Sequence, residues 1–299
     1  MKILITGGTG LIGRKLCKAL LAKGHEITVL SRKPDTVATK CGATVKAIAT
    51  LNEWQADISF DAVINLAGEP IVDARWTEKR KQTLWQSRVN LTETLLQHIA
   101  NAKQKPTVLL SGSAVGFYGD GGDTILEESR LPATDFAGQL CSAWESVAQT
   151  ANTFGVRVCL LRTGLVLDGS GGLLGKMLLP FKLGLAARLG DGQQWMSWIH
   201  IDDYVAILLL LLENQQAAGA YNMTAPEPVT NNEFTQTLAR QLNRPALFVT
   251  PAWLLKLLLG EMSILLLGGQ RALPTKIQAL GYRFTYATFE TALVSLLSV

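Results

Sequence analysis

Gly7, Gly10 and Gly13 stand at three-residue intervals in the run K-I-L-I-T-G-G-T-G-L-I-G that fills residues 2–13. The apolar residues Ile3, Leu4 and Ile5 stop at Thr6, and Leu16, Leu20 and Leu21 then recur at helical spacing up to Gly24. Glycines between a buried strand and a helix start let the backbone approach a pyrophosphate, where a Cβ would stand in the way. The helix start turns unpaired N–H groups and its positive dipole end toward the anion. The arrangement predicts a dinucleotide site. A second set of groups, Ser31-Arg32-Lys33, follows a candidate strand at 26–31. An acid there would hold a ribose 2′-hydroxyl, whereas an arginine accepts a 2′-phosphate. Asp35 falls beyond Pro34, outside the strand end. The reading is NADP in preference to NAD, with two solvated loop charges as the alternative.

The elements that position these groups alternate along the chain. Candidate strands lie at 2–6, 26–31, 62–66, 107–111 and 157–162, and candidate helices at 14–23, 79–102 and 139–154. That order implies βαβ crossovers, hence an α/β fold with a doubly wound parallel sheet covered by helices on both faces. Glycine-rich segments at 119–122 and 168–175 follow strands and fall near the carboxyl edge of the sheet, where such folds bind ligands. The pattern loosens after Pro226. Residues 1–229 are taken as the nucleotide-binding domain with interleaved substrate-side segments, and 230–299 as a smaller α-rich C-terminal region.

Bulk properties narrow the classes. The 299 residues are 48% hydrophobic and 17% charged, ample for one large covered sheet. A net charge of +4 suits a phosphate-bearing ligand, but the short basic runs at 32–33 and 79–81 carry no interleaved aromatics, so nucleic acid is not expected. Cys17, Cys41, Cys141 and Cys159 form no C-x-x-C pair and read as reduced thiols of a cytoplasmic protein. The N-terminus starts a strand at once, without a signal-peptide pattern, and the three histidines lack metal-ligand spacing. Leucine-rich stretches at 205–212 and 253–267 fit buried or amphipathic helices better than membrane spans. The second leaves contact with a membrane or with a partner subunit, a homodimer included, open.

The segment 6–13 resembles the nucleotide-binding signature of extended short-chain dehydrogenases/reductases. Asn65-Leu66-Ala67-Gly68 is similar to the strand-four motif of that family, and the segment 111–119, S-G-S-A-V-G-F-Y-G, to its serine-bearing strand end. Ala67-Gly68-Glu69-Pro70-Ile71, Arg75-Trp76-Thr77, Ser87-Arg88-Val89, Trp144-Glu145 and the segment 198–203, W-I-H-I-D-D, resemble one atypical branch, described as epimerase family proteins or nucleoside-diphosphate-sugar epimerases. The segments 267–271 and 281–284 resemble its short C-terminal domain. The resemblance spans essentially the whole chain. It implies a Rossmann-like fold and an NADP-type cofactor held by Gly7, Thr9, Gly10, Leu11, Ile12, Gly13, Ser31, Arg32, Lys33, Leu66, Ala67 and Gly68. It also implies a small-molecule substrate, a nucleotide-linked one among the alternatives, with Glu69, Arg88, Ser113 and His200 on the substrate side.

One departure decides what chemistry can be carried over. The family uses a Tyr-x-x-x-Lys pair, in which the lysine lowers the tyrosine pKa and the tyrosinate exchanges a proton with a substrate hydroxyl. None of the five tyrosines here has a lysine four residues later, and Ala137 and Cys141 occupy the two slots. Ser113 matches the serine that holds a substrate oxygen, against the reading that it merely ends a strand. Tyr118 is the candidate proton donor, though an aromatic after a strand is more often a packing residue. Arg88 suits a phosphate or carboxylate, while Arg80 and Lys81 read as a solvated helix face. His200, flanked by aspartates, equally fits a structural hydrogen-bond network. Two functions follow: an NADP-dependent oxidoreductase or nucleotide-sugar epimerase without the usual base, or a non-catalytic NADP-binding regulatory or redox-sensing protein.

Overall fold

Alternation along the first strand sets the layers. In the computed structural model, which describes residues 1–298 and leaves Val299 outside the described residues, strand β1 is Lys2–Thr6. Ile3 and Ile5 face one way, onto Leu16 and Leu20 of helix α1 (Leu11–Ala22). Leu4 faces the other way, into a second core with Leu95 and Ile99. Successive side chains of a strand point to opposite faces, so a strand apolar on both sides demands helices on both. The other strands of the central sheet are β2 (Glu26–Leu30), β3 (Lys46–Ile48), β4 (Ala62–Asn65), β5 (Val108–Ala114), β6 (Arg157–Thr163) and β7 (Gly219–Met223). They form one parallel sheet in the order β7-β6-β5-β4-β1-β2-β3. This is the doubly wound arrangement expected, with strand order reversing beside β1.

Two edge strands escaped the sequence reading. β3 is three residues with a mostly exposed side, and β7, G-A-Y-N-M, lacks β-branched residues. β5 runs on to Ala114 and so carries Ser113 inside the strand rather than beyond it. The long helix expected at 79–102 is three pieces: α2 (Glu78–Trp85), a π-helical turn Gln86–Asn90, and α3 (Leu91–Asn101). Such turns are rare and concentrate at functional sites. Helix α4 (Phe136–Gln149) covers β5 on the face shared with α3. Helix α5 (Ile201–Glu213) covers the opposite face with α1.

The C-terminal region draws on two parts of the chain. Leu167, Leu174, Phe181 and Trp198 pack with Phe234, Leu238, Phe289 and Leu293 in a separate apolar cluster. Asp203 at the start of α5 anchors the tail, accepting hydrogen bonds from Tyr282 Oη (2.7 Å), Thr285 N (2.9 Å) and Tyr286 N (2.9 Å). Among the described residues no helix is long and apolar enough to cross a membrane. The stretch 253–267 buries Leu255 and Met262 and leaves Trp253 and Leu257 exposed.

Candidate functional site

The carboxyl ends of β1, β2 and β4 build the first half of the site. Gly7 has φ +72°, and a Cβ there would lie 2.6 Å from the Leu66 carbonyl oxygen; one on Gly13 would lie 2.4 Å from the Gly7 carbonyl oxygen. The turn therefore packs directly against the end of β4 and under α1, which no larger residue permits. Gly10 is the N-cap of α1 and supplies no side-chain cap, and beyond the Gly7 oxygen its Cβ position meets open space. The first N–H groups of α1, from Leu11 onward, are left for a ligand. This cradle fits the pyrophosphate of a dinucleotide. A separate hollow of about 810 Å³, between Lys2, Glu26, Lys46 and Trp54, opens at the amino ends of the strands, away from that edge.

Across the cradle, the end of β2 faces the loop after β4. Ser31 Oγ accepts from Lys33 N (3.1 Å), which shapes the turn and leaves Arg32 and Lys33 exposed. Arg32 Nη1 donates to Glu69 Oε1 at 2.7 Å. Glu69 thus stands beside the expected cofactor-side arginine. The loop that carries it is fastened from the π-helical turn: Arg88 Nη2 donates to Glu69 O (2.8 Å), and Glu69 N donates to Ser87 Oγ (3.1 Å). The Arg88 guanidinium lies against Gly68 and over the Trp144 ring, 5.6 Å from its centroid. Its committed donors make Arg88 a brace of this loop. Burial holds its pKa below the usual arginine range.

The second half of the site is a polar row at the carboxyl end of β5, β6 and β7. Ser113, Arg162 and Asn222 are register partners on adjacent strands, so their side chains share a face. That face is covered by α4, whose Ala137, Cys141 and Glu145 recur every four residues on its buried side. Arg162 Nε and Nη2 bind the two Glu145 oxygens at 2.8 and 2.9 Å, and Ser113 Oγ donates to Glu145 Oε1 at 2.6 Å. Arg162 Nη1 donates to Tyr118 Oη and to Glu128 O, both at 2.9 Å, and the Tyr118 hydroxyl donates to Asn222 Oδ1 at 2.6 Å. The guanidinium stacks 3.6 Å from the Phe117 ring centroid. Desolvation is the largest single influence on Arg162, but the Glu145 carboxylate and Tyr118 together outweigh it, leaving the arginine above its ordinary range.

These contacts sort the expected residues. Ser113 sits at the carboxyl edge with its proton given to Glu145. Tyr118, expected as proton donor, is 6% exposed with its hydroxyl committed to Asn222 and Arg162, and burial pushes its pKa up. That geometry makes its hydroxyl part of the buried network. His200, expected on the substrate side, is 1% exposed; its Nδ1 accepts from Asp202 N (3.1 Å) as the cap of α5, and its ring stacks 3.8 Å from Tyr286. Burial lowers its pKa below the usual histidine value. The structural alternative weighed for His200 describes it better. Cys141 lies within reach of Ser113 and the Ala114 backbone, and burial raises its thiol to about 11. Arg162, Glu128 and Asn222 belong to the site without any local motif to mark them. The available signal was Arg162 itself, a cation inside the strand run R-V-C-L-L-R-T, which needs a buried counter-ion. Among the described residues no cluster of His, Cys, Asp and Glu could hold a metal.

A glycine cradle under the first helix and a serine at the end of β5, on a doubly wound sheet, define a dinucleotide-binding protein of the short-chain dehydrogenase/reductase type. Residues 3–224 match the NAD dependent epimerase/dehydratase family, and residues 250–296 match a domain of unknown function, DUF1731. The chain belongs to that epimerase/dehydratase family. It is 38% identical over 297 residues to the epimerase family protein MW0731 of Staphylococcus aureus, covering 98% of each chain. It is 38% identical over 300 residues to the epimerase family protein YfhF of Bacillus subtilis, covering 100% of this chain and 98% of the other. The crystal structure of the human epimerase family protein SDR39U1 with NADPH superposes with a TM-score of 0.89 at 33% identity, covering 100% of this chain and 99% of that one.

Proposed function

We propose that this protein binds NADP(H) at the glycine cradle and is an oxidoreductase-type member of its family that works without a tyrosinate base. The observation that carries the cofactor choice is Arg32, exposed at the end of β2 beside the cradle, with Lys33 next to it. The NADPH held by the human relative supports the same choice. Gly7, Thr9, Gly10, Leu11, Ile12 and Gly13 would hold the pyrophosphate, Ser31, Arg32 and Lys33 the 2′-phosphate side, and Leu66, Ala67 and Gly68 the opposite wall. When bound, a nicotinamide dinucleotide supplies or takes up a hydride at C4. Ser113 orients the ligand, while Arg162 and Glu145 fix its hydroxyl. Ala137 and Cys141 leave no phenol–ammonium pair on α4 to move a proton.

Equilibrium titration with NADPH and NADH tests the cofactor reading: tighter NADPH binding is expected, and Arg32→Asp should weaken it by ~1.5–3 kcal/mol, the range of a charge-assisted hydrogen bond. Equal affinities, or a preference for NADH, would refute it. A second reading, a non-catalytic NADP(H)-binding regulator, is favoured by the internal commitment of both Ser113 and Tyr118 hydroxyls. NADP+ reduction with a panel of small alcohols, run beside NADPH consumption with the matching carbonyl compounds, separates the two.

A further inference from the structure

Glu69 stands between two arginines. Its Oε1 takes the Arg32 bond, and its Oε2 lies 3.8 Å from Arg80 Nη1. The two arginines differ in setting. Arg32 has 89% of its side chain exposed, whereas Arg80, on the first turn of α2, has 18%. Arg80 Nη2 donates to the Pro70 carbonyl, and its Nε is buried with no hydrogen-bond partner among the described residues. A buried N–H without an acceptor is costly, and a guanidinium binds a carboxylate best through two N–H groups. Glu69's backbone is held by Ser87 and Arg88, so only its side chain is free to move.

We infer that Glu69 is an exchangeable counter-ion that sets the discrimination between NADP(H) and NAD(H): it rests on Arg32 when no 2′-phosphate is present and turns to Arg80 when Arg32 engages one. The inference rests on the reading that Arg32 recognises the 2′-phosphate. An Arg32–Glu69 pair is neutral and presents a carboxylate to the incoming phosphate, so it attracts that phosphate weakly. Transfer of the carboxylate to Arg80 frees the Arg32 charge and keeps Glu69 paired. Without Arg80 the carboxylate has Arg32 as its only partner, and phosphate must displace it against the full ion pair.

The test is equilibrium binding of NADPH and NADH, followed by nucleotide fluorescence. Arg80→Gln is expected to weaken NADPH on the order of tenfold while leaving NADH within about twofold. Glu69→Gln is expected to bind NADPH at least as tightly as the unaltered protein. The double variant Glu69→Gln/Arg80→Gln should recover NADPH affinity, because the competing carboxylate is gone. Arg80→Lys, which keeps the charge without the guanidinium's fixed donors, should fall between, and retained NADH binding shows that each variant is folded. Equal losses for both nucleotides in Arg80→Gln, or no recovery in the double variant, would overturn the exchange. Arg32→Gln tests the underlying reading separately: if it leaves the NADPH preference intact, that reading fails, whatever Arg80 does.

Discussion

Replacing Arg162 by methionine should be among the most damaging single changes to the sheet. The side chain is 5% exposed and makes two bonds to Glu145, one to Tyr118 and one to the Glu128 carbonyl. Methionine keeps much of the apolar contact with Phe117 but leaves the Glu145 carboxylate buried with only Ser113 as partner. Breaking a buried ion pair from one side costs about 3–5 kcal/mol. At roughly 2–4 °C per kcal/mol, the thermal midpoint should fall by on the order of 10 °C. Adding Glu145→Gln removes the stranded charge at constant volume. The double variant should therefore be more stable than Arg162→Met alone, even though it carries two changes. Circular dichroism melts of the unaltered protein, Arg162→Met and the double variant at pH 7.5 would decide it. A midpoint for Arg162→Met within about 2 °C of the unaltered protein would mean that the pair is not the buried, one-to-one arrangement described. So would a double variant less stable than the single one.

Alkaline pH should destabilise the fold in a defined window. Burial raises the Cys141 and Cys159 thiols to about 11, against 9.0 for an unperturbed thiol. The unfolded chain thus loses these protons first, so stability is full below pH 9 and declines toward pH 11. Melting midpoints that stay flat from about pH 8.5 to 10.5 would contradict this; a Cys159→Ala variant should show a shallower decline. In a second assay, UDP-galactose incubated with the protein and NAD(H) or NADP(H) should yield no UDP-glucose. The 4-hydroxyl must lose a proton as hydride leaves C4, and the α4 face offers Ala137 and Cys141 in place of a tyrosinate pair. Robust turnover would show that another group does this work.

The glycine turn and the parallel sheet were legible because each leaves a local pattern. Gly7 and Gly13 mark close approach of backbone to backbone, and Ile3-Leu4-Ile5 marks a strand buried on both faces. Ser113 was legible as a position, since β5 ends in a serine-bearing segment, but its partner was not. Glu145 lies 32 residues away in sequence, and Arg162 becomes its neighbour only through the β5–β6 register. Tyr118 looked available because sequence shows a hydroxyl and not what occupies it. The Asn222 that accepts from it sits 104 residues on, in the edge strand that the apolar pattern missed. Glu69 is marked in sequence only by the motif of its loop, whereas its bearing on Arg32, across the nucleotide cradle, depends on two strand ends meeting in space. What was lost in each case is a long-range polar contact, which hydrophobic periodicity does not encode.

The direction of one hydrogen bond constrains the ligand more than the missing base does. A serine hydroxyl has one proton to give, and Ser113 gives it to Glu145 at 2.6 Å. Arg162 holds the two Glu145 oxygens at 2.8 and 2.9 Å, so the acceptor is fixed in front of the serine. What Ser113 then offers is a lone pair, so it suits a ligand group that donates, such as a hydroxyl or an amide N–H. A carbonyl oxygen would require the serine proton to swing away from a charge-assisted bond, at a cost of about 1.5–3 kcal/mol. Cys141 beside it does not reverse this, because desolvation outweighs the nearby Arg88 and keeps the thiol protonated. On the proposed oxidoreductase reading, this arrangement suits the alcohol side of a hydride transfer. The proton released there has to leave through solvent or through the ligand itself, because no tyrosinate–lysine pair stands on α4 to take it.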